Sequence, residues 1–232
     1  MSTTRTIYSV GIPFIKFQDR DKIEYLQKGK IYFKSLAYYR QREIETHDDT
    51  VGDSFEAMIH INNGLISVPE LSTFERLDDA LIQSSFANHF VFCMLSFPED
   101  TDSFAFTEEQ KQNILTFGNF ALLITDRCEF LRRVAIALDR EKIIGTHGYV
   151  KYYDETKDNL NYWMSIFCNG IEDVAFWKRK HYEYQQEYRF LITPPTTVND
   201  YYELEIGSIE DISIILTAEQ ALNAMASKYS ET

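Results

Sequence analysis

KRKHYEYQQEYRF, residues 178–190, sets four cationic side chains and a histidine around two carboxylates, with three tyrosines interleaved. Read as a strand over 183–192, the stretch alternates. Gln185, Glu187, Arg189 and Leu191 share one face; Gln186, Tyr188, Phe190 and Ile192 share the other. The second face is the more apolar and is expected to meet the core, which places Glu187 and Arg189 on a wetter face. A carboxylate presented by a strand at the mouth of a sheet can bind a ribose hydroxyl, stabilise an oxocarbenium-like centre or act as a base. Lys178, Arg179, Lys180 and Arg189 suit a phosphate. The plainer alternative is a Glu–Arg pair kept for solubility, with the cations neutralising neighbouring acids.

A second concentration of charge is the acidic stretch EIETHDDTVGDSFEA, which carries six acids between Glu43 and Glu56 with no Lys or Arg from Glu43 onward. Carboxylate oxygens suit Mg²⁺ or Ca²⁺. The D-x-D-x-D-G frame of a calcium loop is missing, so a solvated acidic loop is the preferred reading. Within it Gly52 permits a tight turn and Phe55 can anchor the loop, leaving Asp53 and Glu56 to face a cleft or cap a helix. The five histidines show no metal-ligand spacing. Cys93, Cys128 and Cys168 form no C-x-x-C pair and lie among apolar residues, so buried, reduced thiols are expected.

The elements that must carry these residues follow from periodicity and caps. Strands are expected at 12–17, 30–36, 58–62, 90–97, 120–125, 149–153, 187–193, 201–206 and 211–216. The run FVFCMLSF reads as a central strand buried on both faces. Helices are expected at 19–29 with Gly29 as its stop, at 107–118 with a Thr107–Gln110 capping box, and at 126–140 capped by Asp126. A Thr217–Gln220 box opens the last helix. Ser72 and Glu75 are in capping-box spacing and Leu77 and Leu81 share a helical face, so 72–83 is read as a helix. So is 170–180. Residues 37–57 are read as a helical turn followed by a polar loop.

Strands outnumber helices without a strict βαβ rhythm, which predicts an α+β fold with a mixed, mainly antiparallel sheet. No linker or repeat breaks the 232 residues, so one domain, 1–232, is the default. No Gly-rich strand-to-helix turn supports a Rossmann or P-loop site. A net charge of -13 disfavours duplex nucleic acid as partner. With neither a secretory leader nor a bilayer-length apolar run, a soluble cytoplasmic protein is expected, with no membrane association.

The ordered series IKF, KIYFKSLAYYR, GDSFEA, FVFCMLSF, YVKYY and KRKHYEYQQEYRFLI resembles a broad group of bacterial and phage proteins marked by an N-D-P-F-E-like loop and a late E-x-E-Y-R strand. AbiGi-type abortive-infection proteins are similar in outline. Two departures stand out: GDSFEA lacks the proline, and Gln185 replaces the first acid of the late motif. The layout also resembles the ADP-ribosyltransferase fold. That resemblance implies NAD as cofactor, Glu187 as catalytic carboxylate steered by Arg189, and Lys16 as the first-strand residue. It makes Ser35, Tyr38, Tyr39 and Arg40 candidates for the NAD-facing wall. Asp53, Glu56, Lys180 and Tyr184 complete the candidate cofactor-binding set, and no metal is expected.

Three functions are consistent with these residues. One is an NAD-dependent ADP-ribosyl transfer enzyme of phage–host conflict, with a nucleotide or dinucleotide ligand. Another is a non-enzymatic phage or defence-system regulator that binds and blocks a protein partner through an aromatic surface and an acidic face. The last is a metal-dependent nuclease built on Asp53, Glu56, Glu187 and Arg189.

Overall fold

The computed structural model describes residues 13–47, 50, 53–54, 58–61, 64–68, 73–77, 80–83, 89–98, 101, 105–154, 160–169, 171–194 and 200–229. In chain order these form β1 (Phe14–Gln18), α1 (Arg20–Gln27), β2 (Lys30–Ser35), α2 (Leu36–Thr46), β3 (Met58–Ile61), β4 (Gly64–Val68), β5 (Thr73–Leu77), β6 (Ala80–Gln83) and β7 (Phe90–Leu95). Then come α3 (Glu108–Leu115), β8 (Phe120–Ile124), α4 (Arg127–Glu141), β9 (Ile144–Tyr149), β10 (Lys151–Tyr153) and α5 (Leu160–Asn169). The chain ends with β11 (Trp177–Arg179), β12 (Glu187–Thr193), β13 (Tyr201–Glu205), β14 (Ser213–Thr217) and α6 (Ala218–Tyr229). The class is α+β with mainly antiparallel pairing. No helix among the described residues is long and apolar enough to cross a membrane.

Residue contacts cluster into two compact units. The first holds 1–31, 93–141 and 203–232; the second holds 32–92 and 142–202. In the first, β1 runs antiparallel to β8 from Phe14↔Ile124 to Gln18↔Phe120, and β8 to β14 from Ser213↔Ile124 to Thr217↔Phe120. Their apolar residues meet α1 through Ile23 and Leu26 and α4 through Phe130, Val134 and Ala137, all buried. Phe14 meets Phe130 edge-on at 6.0 Å. Apolar burial of this kind contributes roughly 1.5–3 kcal/mol per large side chain. The expected caps form: Thr107 and Gln110 bond reciprocally at α3, Thr217 and Gln220 at α6, and Asp126 Oδ1 accepts the Glu129 N–H at 2.9 Å.

In the second unit, β12 pairs antiparallel with β9 from Tyr188↔Tyr149 to Thr193↔Ile144, and β2 with β7 at Lys34↔Val91 and Ser35↔Phe90. β10 and β11 are parallel, Lys151↔Trp177 to Tyr153↔Arg179. Tyr153, Tyr162, Val174 and Trp177 form a buried cluster under them.

Several expectations need correction. Residues 73–77 and 80–83 are strands, not a helix. β5 pairs antiparallel with β4 (Gly64↔Leu77 to Val68↔Thr73) and β6 with β3 (Met58↔Gln83 to Ile61↔Ala80). A helix of that length is marginal alone, and the β-branched partner strands Met58–Ile61 and Gly64–Val68 decide its conformation. Residues 171–176 are a tight 3-10 helix rather than the start of an α-helix, and 177–179 are strand, because β11 aligns on β10. α2 runs on to Thr46, where His47 stops it at φ 52, so the loop begins later than its polar composition predicts. β4, α5 and all of β9 before Tyr149 have no counterpart among the elements expected above. β9, IGTHGY, carries two glycines and an Ile144 that is 82% exposed, and it is a strand only through its ladder to β12. Cys128 and Cys168 are exposed free thiols rather than buried ones, since each lies on the solvent side of its helix.

Gly29 has φ +90, and a Cβ there would come within 1.8 Å of the Gly207 carbonyl oxygen. Gly29→Ala is therefore expected to cost well over about 1 kcal/mol, because strain and a backbone collision add. Urea unfolding monitored by circular dichroism reads it; an unchanged midpoint would contradict this packing.

Candidate functional site

The charged stretch of the sequence folds into a hub within the second unit. Three residues of β11 point alternately, as strand residues must. Trp177 turns into the aromatic cluster, and its indole N–H donates to Asp173 Oδ2 at 2.8 Å. Lys178 turns the other way, towards β12. Arg179 reaches back to α2 and the acidic segment.

Lys178 is buried, at 3% exposure. Its Nζ donates to Glu187 Oε1 and to Gln185 Oε1, both at 2.7 Å, and lies 4.7 Å from the Tyr182 ring centre. Arg189 is also buried, and its Nη2 donates to the other Glu187 oxygen, Oε2, at 2.8 Å. Arg189 Nη1 donates to the Ala175 carbonyl. The Glu187 N–H donates to Tyr152 Oη at 3.0 Å, and its carbonyl accepts from Val150 N–H at 2.9 Å. Burial alone would raise the Glu187 pKa. The adjacent charges of Lys178 and Arg189, and their hydrogen bonds, outweigh it and hold the carboxyl well below the usual carboxylate range.

Glu187 and Arg189 do share a face, as the alternation implies, but it is not the wetter face. β12 is buried from Glu187 to Ile192 on both sides. The strand also starts later than the alternation implies, because 180–185 form a 3-10 helix and Gln186 takes a left-handed turn at φ 41. That turn brings Gln185 Oε1 onto Lys178. Charges that read as surface charges are instead paired inside.

Arg179 forms the second half of the hub. Its Nε donates to Asp53 Oδ1 at 3.0 Å, and its Nη2 to Glu43 Oε2 and Tyr182 Oη, each at 3.0 Å. Asp53 is 1% exposed. Burial would raise the Glu43 pKa, but the Ser54 N–H and the Arg179 charge lower it overall. Tyr184 Oη donates to the Thr50 carbonyl at 3.3 Å and Gln185 Nε2 to the same oxygen at 2.9 Å. The acidic segment is thus pinned to the basic one at Asp53 and Thr50. Glu43, the residue that completes this pin, is not among the expected site residues, because 37–57 reads as a helical turn giving way to a polar loop, whereas the helix carries on through Glu43 to Thr46.

The remaining candidates have contacts of their own. Lys180 is exposed and pairs with Glu183 at 2.6 Å. Ser35 is buried, and its Oγ accepts the Tyr38 N–H at 3.1 Å as the N-cap of α2. Tyr38, Tyr39 and Arg40 are half-buried on the first turn of α2, and Arg40 Nη1 is shielded from solvent without a hydrogen bond. Glu56 lies outside the described residues. Lys16 belongs to the first unit, where its Nζ donates to the Cys93 carbonyl at 2.8 Å. Among the described residues no group of three His, Cys, Asp or Glu is placed to hold a metal ion.

An exposed feature stands beside the expected wall residues. Tyr32 and Tyr201 are 41% and 43% exposed and stack at 4.7 Å with an interplanar angle of 19°. Lys34 Nζ lies 4.2 Å from the Tyr38 ring and 5.6 and 5.9 Å from the stacked pair. Such contacts hold a cation over π faces without neutralising it. Comparison with protein-family models, with curated proteins and with solved structures yields no match for this chain.

Glu187→Gln is expected to destabilise the fold by about 3–5 kcal/mol, because it strands two buried cations. The depressed Glu187 pKa means that its stabilisation is complete above the unfolded carboxyl value of about 4.3 and is lost as pH falls below it. Denaturant unfolding from neutral pH into acid should therefore show a shallower acid loss in Glu187→Gln than in the wild type. Equal stability of the two at pH 7 would contradict a buried ion triad.

Proposed function

We propose that this chain acts by binding and blocking a protein partner, in the phage–host setting that its sequence resemblance implies. The observation that carries this reading is the exposed Tyr32–Tyr201 stack with Lys34 over it. Tyrosine offers large contact area and a polar tip at low entropic cost, which suits protein docking. A net charge of -13 selects a basic partner and steers its approach. Glu187 is poorly suited to turnover, since Lys178 and Arg189 already occupy one oxygen each.

The ADP-ribosyl transfer reading keeps one supporting observation. The Glu187 side chain retains 11% exposure and a permanent negative charge, so a ribose hydroxyl has an ionised acceptor to approach. In that reading NAD binds, and Arg40 is a candidate for its phosphates.

Two measurements separate these readings. Affinity capture from host-cell extract should retain a defined basic protein on the wild type, with retention cut at least about tenfold by Tyr32→Ser with Tyr201→Ser, roughly 1.4 kcal/mol of lost binding. Calorimetric titration with NAD should give no saturable heat. Saturable NAD binding together with unaltered partner capture by the double variant would overturn the binding-protein reading in favour of the transferase.

A further inference from the structure

The first unit carries a groove that none of these readings uses. It has a volume of about 420 Å³ and runs along the solvent side of α4 beside residues 206–208. That volume falls in the range of small-ligand sites. Arg132, Arg133, Ile136 and Arg140 line it from the helix at spacings that keep them on one face.

The three guanidinium groups are not equivalent. Arg133 is committed: it bonds Glu129 Oε1 at 2.8 Å, both Asp211 oxygens at 2.9 and 2.5 Å, and the Ser208 carbonyl at 2.5 Å. It fixes the loop against the helix and so gives the groove its second wall. Arg132 bonds Glu129 through Nε and Nη2, leaving Nη1 outside that pair. Arg140 bonds the Glu205 carbonyl at 2.6 Å and Glu141 at 3.0 Å, both through Nη2, leaving Nε and Nη1 outside those bonds. Arg132 and Arg140 are 59% and 56% exposed. Glu129, shared by two arginines that drive its pKa down to about 2, is the carboxylate that lines the groove, while Asp211 and Glu141 pair with Arg133 and Arg140 from outside the lining.

Between the two open arginines stands Ile136, 53% exposed, over the buried Ala137. Gly207, on the facing loop, has φ +78 and open space where a side chain would be. Donors at both ends, an apolar floor and a bare backbone wall define the chemistry of the occupant. We propose that this groove binds a small organic anion, a phosphate monoester or carboxylate on an apolar body. Arg140, whose Nε and Nη1 lie outside its protein bonds, receives the anion, and Ile136, one turn before it on the helix, receives the apolar part. The site is built within one unit and does not depend on the tyrosine surface.

The test is calorimetric titration of the full chain with hexyl phosphate, hexanoate and inorganic phosphate. Hexyl phosphate or hexanoate should bind saturably, and inorganic phosphate at least about tenfold more weakly than hexyl phosphate, since the apolar part carries more than about 1.4 kcal/mol. Arg140→Gln and Ile136→Asp should each weaken the organic anion about tenfold or more. Both positions are exposed, so circular dichroism should report an intact fold. No saturable binding of either organic anion, equal affinity of inorganic and hexyl phosphate, or unchanged affinity in Arg140→Gln would each overturn the proposal.

Discussion

The buried Lys178–Glu187–Arg189 triad is the interaction on which the second unit depends. Removing three charges from water costs several kcal/mol per ion after relaxation, and only well-formed mutual contacts offset it. Here each Glu187 oxygen meets one cation, and Lys178 donates further to Gln185 and Arg189 to the Ala175 carbonyl. Such an arrangement tolerates little displacement. It fixes β11 against β12, sets the left-handed turn at Gln186, and leaves Arg179 as the strand's one outward cation, free to hold Glu43 and Asp53. Arg179 ties the basic stretch of the sequence to the acidic one through Glu43 and Asp53.

Much of the scaffold was legible because it depends on local signals. Caps at Thr107, Asp126 and Thr217 need only a few neighbouring residues, and buried strands such as FVFCML announce themselves by composition. What failed depends on distant partners. Residues 73–77 and 80–83 carry helical spacing, yet their conformation is set by strand partners five to twenty-five positions earlier. β9 carries no apolar pattern, and β12 makes it a strand.

The site was half legible for the same reason. Alternation placed Glu187 and Arg189 on one face correctly, but a charged face reads as wet unless its counter-charge is known. Lys178 lies nine residues before Glu187, across a 3-10 helix that interrupts the strand pattern, so no periodicity links them. Tyr32, Lys34 and Tyr201 come together from two segments far apart in the chain, and the exposed stack they form leaves no trace in local spacing. A carboxylate with one buried cation on each oxygen and an aromatic pair displayed outside are the two observations on which the proposed binding role rests.

The most direct test of this account is a pH titration of the Glu187 side-chain carboxyl, followed by carbon-13 NMR with Glu187→Asp as the assignment control. If the triad anchors the fold, the resonance stays at its ionised position from neutral pH down to the onset of acid unfolding. A reversible titration in the folded protein, with a midpoint at or above the ordinary glutamate value of about 4.3, would contradict it. Glu187 would then be an accessible, functional acid rather than the core of an ion triad.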